Sequence, residues 1–80
     1  MSGLLIVAAT GPNDATRASI PFHLAANGAG PANVEVAVAF AGDSIDLLKP
    51  HVIADVRGVG IPPLAELMAK CVTQRVRFYV

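Results

Sequence analysis

The sequence predicts an α/β domain built on a mainly parallel sheet, and three observations predict it. First, Leu4-Leu5-Ile6-Val7-Ala8-Ala9 and Val34–Ala41 are near-continuous aliphatic runs, the pattern of strands buried on both faces. Second, the stretches between the apolar runs are too long for hairpins and carry helical signals, as crossover connections do. Third, Leu64, Leu67, Met68, Cys71 and Val72 recur at i, i+3, i+4, i+7 and i+8 behind Pro62-Pro63. That spacing gives one apolar helix face, and proline is well tolerated in a first turn.

Each element follows in order. The first strand is Leu4–Ala9, and Thr10-Gly11-Pro12-Asn13-Asp14 breaks it. Asn13 or Asp14 then caps a helix whose Ala18, Phe22 and Ala25 face the sheet. Pro21 lies inside that helix and predicts a kink or a later start, because proline removes a ladder donor. Asn27-Gly28-Ala29-Gly30-Pro31 stops it. The second strand, Val34–Ala41, carries one charge, Glu35. Gly42–Pro50 reads as a single short turn capped by Asp43 or Ser44 and ended by Pro50, and His51–Gly60 as irregular chain. After the helix at 64–72, with Glu66 and Lys70 on its opposite face, Val76–Val80 is the third strand. Two crossovers joining three strands predict that the first strand lies centrally, in order 2-1-3.

Composition excludes several function classes. Six Lys/Arg balance six Asp/Glu and are scattered singly, so no basic stripe tracks a nucleic-acid backbone. The 54% hydrophobic content argues for a packed core instead of disorder. No apolar run approaches the roughly 20 residues that span a bilayer. The start Met1-Ser2-Gly3-Leu4 has no basic segment, so Leu4–Ala9 is not read as a signal peptide, and the expected address is the cytoplasm. One cysteine excludes an intrachain disulfide and a multi-cysteine zinc site. One domain is expected over residues 1–80. Its core, rich in Ala and Val, is small, which points to support from partner subunits or from a missing piece of chain.

Ligands of open parallel sheets bind beyond the carboxyl ends of the strands, where loops splay apart. There Thr10, Gly11, Asn13 and Asp14 face Gly42 and Asp43, and backbone N–H groups at the helix start suit an anion or small polar ligand. A turn followed by a helix cap accounts for the same residues. The loop is not a P-loop, since it lacks the Gly-Lys-Ser/Thr ending. Gly28-Ala29-Gly30 and Gly58-Val59-Gly60 read as turns, as neither directly follows a strand. Cys71 is the only thiol and hence the one candidate nucleophile or sulfur carrier. Its place on the apolar helix face favours core packing, where a thiol is little ionised. His23 lies off the apolar stripe and reads as solvated or interfacial. His51 sits in a loop with nothing to mark it as a base. Asp43 and Asp46 are explained by capping, so neither a metal set nor a cofactor is expected.

Several segments resemble the DsrE/DsrF-like family. They are Leu4-Leu5-Ile6-Val7 with Thr10–Asp14, Arg17-Ala18-Ser19-Ile20-Pro21-Phe22, Val38–Asp43, Val59–Leu67 and Val76–Val80. The ordered series spans nearly the whole chain, and no single motif in it is diagnostic. The resemblance implies a small, flavodoxin-like α/β fold of three layers, assembled as a homo-oligomer (trimer or hexamer) in the cytoplasm. Members with known activity relay sulfur as a cysteine persulfide, which implies a sulfur-relay protein as partner. In the family the cysteine-bearing segment comes just after the strand that here ends at Val80, so the fold is expected to be incomplete at its C-terminus. Cys71 lies upstream of that point and does not inherit the role. The resulting expectation is a DsrE-like protein without its own acceptor cysteine. The alternative is a non-catalytic oligomerisation or small-ligand-binding module.

Overall fold

The computed structural model describes residues 3–29 and 31–80; Met1, Ser2 and Gly30, one residue of the expected helix stop, lie outside the described residues. The order of elements is β1 (Gly3–Ala8), α1 (Ala15–His23) with a π-helical continuation (Leu24–Ala29), β2 (Glu35–Phe40), a 3-10 segment (Gly42–Leu48), α2 (Pro50–Asp55), α3 (Leu64–Thr73) and β3 (Arg77–Tyr79). The α/β class and the parallel sheet are as expected. Leu5 pairs with Ala37 and Ala37 with Arg77, so one register runs across all three strands.

The strand order differs from the expected 2-1-3. It is β1-β2-β3, with β2 in the centre and parallel to both neighbours. Three layers are not formed by the described residues either, and the two differences have one cause. Crossovers of the same hand that step in the same direction lay their helices on one face, whereas an order of 2-1-3 reverses the step and puts helices on both. Here Ala8, Val36, Val38 and Phe40 of the sheet share a single core with Ala18, Phe22 and Ala25 of α1 and its continuation and with Leu64, Leu67 and Cys71 of α3. The other face stays open: Leu5 is 61%, Val7 60% and Tyr79 51% exposed. β1 is therefore not buried on both faces.

Local chemistry explains the helices. Asp14 caps α1 by accepting the N–H of Arg17 at 3.1 Å. Pro21 lies inside the helix without ending it; beyond it the coil widens, and the N–H of Leu24 is shared between the carbonyls of Ile20 and Pro21. The small residues Ala18, Ala25, Ala26 and Ala29 let this helical run lie close to the sheet. Phe22 is its one large core residue, and it meets Phe40 at 5.5 Å and Phe78 at 6.2 Å between ring centroids. Phe78 is edge-on to both other rings, an arrangement aromatic quadrupoles favour.

Two further expectations are corrected. Pro50 starts α2 where it was expected only to end a turn, because its fixed φ suits a first helical position, so the first half of the stretch expected to be irregular, His51–Asp55, is helical. Val72 is 68% exposed although its spacing placed it on the apolar face of α3. The buried face of α3 is Leu64, Leu67, Met68 and Cys71, narrower by one residue.

Candidate functional site

The carboxyl ends of β1 and β2 come together through one buried side chain. Ser44 Oγ donates to the Ala8 carbonyl at 2.7 Å and accepts the N–H of Ala41 at 3.0 Å. The N–H of Ala41 also reaches the Ala8 carbonyl at 2.9 Å, which extends the ladder one step past β2. Gly42 then turns the chain with φ +57°, a conformation that L side chains rarely adopt.

The six residues expected to wall a crevice are placed there unequally. Gly11 and Asp43 are in direct contact: a Cβ on Gly11 would lie 2.8 Å from the Asp43 carbonyl oxygen and 2.9 Å from its Cβ. The two loops thus close on each other at that point, with no gap between them for a ligand. Asp14 is occupied as the cap of α1, and its N–H bonds the Gly11 carbonyl at 3.3 Å. Thr10 is half-buried, while Asn13, Gly42 and Asp43 are exposed. The exposed residues of the six that are not occupied as a helix cap are therefore Asn13, Gly42 and Asp43.

A neighbouring loop joins this end of the molecule in a way that sequence reasoning missed. The N–H of Val59 donates to Thr16 Oγ1 at 2.9 Å, and a Cβ on Gly58 would sit 3.0 Å from the Thr16 Cα. The glycines of Arg57-Gly58-Val59-Gly60 signalled a turn; nothing in their spacing signalled that the turn closes over the start of α1.

Cys71 is fully buried, and its sulfur lies 3.8 Å from the Phe22 carbonyl oxygen. Burial pushes its thiol above the ordinary range, which leaves little thiolate to attack a substrate. Arg75 does not approach it along the helix, because α3 ends at Thr73 and Arg75 turns away with φ 60°. His23 is half-buried, with Nδ1 3.1 Å from Asn27 Nδ2, and Lys70 donates to Asn27 Oδ1. With Gln74 donating to the Ala26 carbonyl at 3.0 Å, these groups form a polar seam between α3 and the first helical run. His51 is exposed at the start of α2. Asp46 pairs with Lys49 at 3.1 Å on the surface. Among the described residues no three His, Cys, Asp or Glu cluster in a way that holds a metal ion, and no helix is long and apolar enough to cross a membrane.

A shallow groove of about 280 Å³ lies elsewhere, on the open face of the sheet at the amino ends of the strands. Leu5 and Ala37 lie along it, with Glu35, Arg77 and Tyr79 at its sides. Comparison of the chain with protein-family models, curated proteins and solved structures gives no match.

Proposed function

We propose that this chain is a DsrE-like subunit that takes part in intracellular sulfur relay without carrying the sulfur itself. The observation that supports this reading is the state of Cys71: the only thiol of the sequence is fully buried and pushed toward the neutral form. Persulfide transfer needs an accessible thiolate on the receiving group. In this reading the chain contributes a binding rim, Asn13, Gly42 and Asp43, at the carboxyl ends of β1 and β2. A sulfur-bearing partner supplies the reacting cysteine, and the chain belongs to a homo-oligomeric cytoplasmic assembly, trimeric or hexameric by the resemblance. The test is intact mass after incubation with a persulfide donor, under native conditions and then in denaturant. The expected result is no gain of a sulfur atom in the native protein and a gain once Cys71 is exposed. A stable persulfide on native Cys71 overturns the reading.

A second reading, a non-catalytic assembly module, is favoured by the exposure of Leu5, Val7 and Tyr79 on one continuous sheet face. Sedimentation distinguishes it: a folded monomer at micromolar concentration counts against association as the chain's role.

A further inference from the structure

The two edges of the sheet are unlike. β3 is three residues long and begins with Arg77, and short edges and edge charges both discourage pairing. β1 is six residues long and carries no charge or proline from Gly3 to Ala8. Among the described residues it is thus an edge without the usual protection. A second observation points to the same strand. Leu4 and Ile6 project to the helix-covered side with Ala8, yet Leu4 is 45% exposed and Ile6 only half-buried. The helical layer stops short of the β1 edge, so the core is left open there.

We propose that β1 pairs antiparallel with β1 of a second copy of this chain, across a two-fold axis perpendicular to the sheet. The inference does not rest on the sulfur-relay reading. Directly opposite residues of an antiparallel pair point to the same face. Ile6 opposite Ile6 of the second copy, with Leu5 opposite Val7, therefore brings both helical layers to the same side. A slip of one residue sets Leu4 opposite Val7 and mixes core with open face. The matched register keeps all of Leu4–Ala8 in the ladder, sets no charge opposite a like charge, and covers Leu4 and Ile6 with apolar atoms. The partner is a second copy and not an unrelated strand, because this edge is complementary to itself and two-fold pairing uses it up. Pairing of β1 with β3 of another copy leaves free edges at both ends and closes nothing.

The experiment is sedimentation equilibrium of the full chain, joined to amide hydrogen exchange at low and high concentration. The expected result is a dimer, or an even-numbered assembly of such dimers, whose β1 amides become protected as concentration rises, while β2 amides are protected throughout. Leu5→Lys places a charge on the paired strand and is expected to weaken dimerisation by about tenfold or more. Val59→Lys, in an exposed loop, is the control and is expected to leave the dimer unchanged. Three outcomes overturn the proposal: a monomer up to millimolar concentration, a dimer whose β1 exchange is independent of concentration, or a folded Leu5→Lys protein that dimerises as tightly as the original. The exchange experiment on the unaltered chain decides the matter even where Leu5→Lys fails to fold.

Discussion

The Ser44 hydroxyl donates to the Ala8 carbonyl at 2.7 Å, tying together two positions 36 residues apart in sequence. It bonds three backbone groups at the junction of β1 and β2, including the Ala41 carbonyl at 2.9 Å. Its single proton serves Ala8 or Ala41 at any moment, and the shorter distance favours Ala8. This contact holds the carboxyl ends of β1 and β2 together, where the two loops begin.

Removing that hydroxyl is the first test. Ser44→Ala is expected to destabilise the fold by about 1–2 kcal/mol, toward the low end of the cost of an unsatisfied buried group because the N–H of Ala41 keeps its bond to Ala8. A urea titration followed by circular dichroism measures it. An unchanged midpoint shows that the hydroxyl does not hold the two strands.

Phe22 carries the aromatic cluster. Phe22→Ala removes the one ring that α1 contributes to Phe40 and Phe78, and truncations of this kind cost about 3–5 kcal/mol. A domain of this size has only about 4–12 kcal/mol in total. The variant is expected to be largely unfolded at 37 °C by far-ultraviolet circular dichroism, whereas Phe22→Leu is expected to remain folded.

Gly11 and Gly28 are expected to respond in opposite directions to the same substitution. Gly11→Ala drives a methyl group into the Asp43 backbone, which must shift, and overpacking of this kind costs about 1–3 kcal/mol. A Cβ on Gly28 meets nothing within 4 Å, and Gly28→Ala in a helical turn is expected to stabilise by about 0.4–1 kcal/mol. Thermal melts of the two variants check the sign of each change. A matching sign in both removes the close contact from the explanation.

Cys71 makes stability depend on pH in the alkaline range. Burial raises its folded-state pKa above that of the unfolded chain, so the unfolded state loses the proton first. The stability this contributes is complete below the unfolded pKa, near 8.5, and is lost as pH rises through the folded value. The melting temperature of the wild type is thus expected to fall above about pH 8.5, and that of Cys71→Ala, lower at neutral pH, to fall less steeply. Parallel profiles for the two proteins show that another group sets the alkaline limit.

Much of the helical layer could be read from particular residues. Asp14 as cap, the Ala18–Phe22–Ala25 stripe and the Leu64–Cys71 face are consequences of local hydrogen-bonding chemistry and a period of 3.6, which act within a few neighbours. The strands were legible as strands, although Val36, Val38 and Phe40 alternate with Ala37 and Ala39 in a pattern that hints at one crowded face and one bare one. The site was less legible. Gly11 against Asp43 and Ser44 against Ala8 act through contacts with partners far along the chain, and no spacing rule carries that information. The closure of Val59 onto Thr16 and the meeting of three phenylalanines from α1, β2 and β3 belong to the same class.

By itself, then, the sequence determined the α/β class, the position of the main helices and the place of Cys71 on the buried face of α3, because propensity, capping and periodicity are local properties. The tertiary structure alone decided the order β1-β2-β3 and the single covered face. That decision lies in the direction in which the second crossover steps, left from β2 or right, and both directions satisfy the same local pattern. Here it steps onward, so the same residues that form the core on one side leave Leu5, Val7 and Tyr79 uncovered on the other.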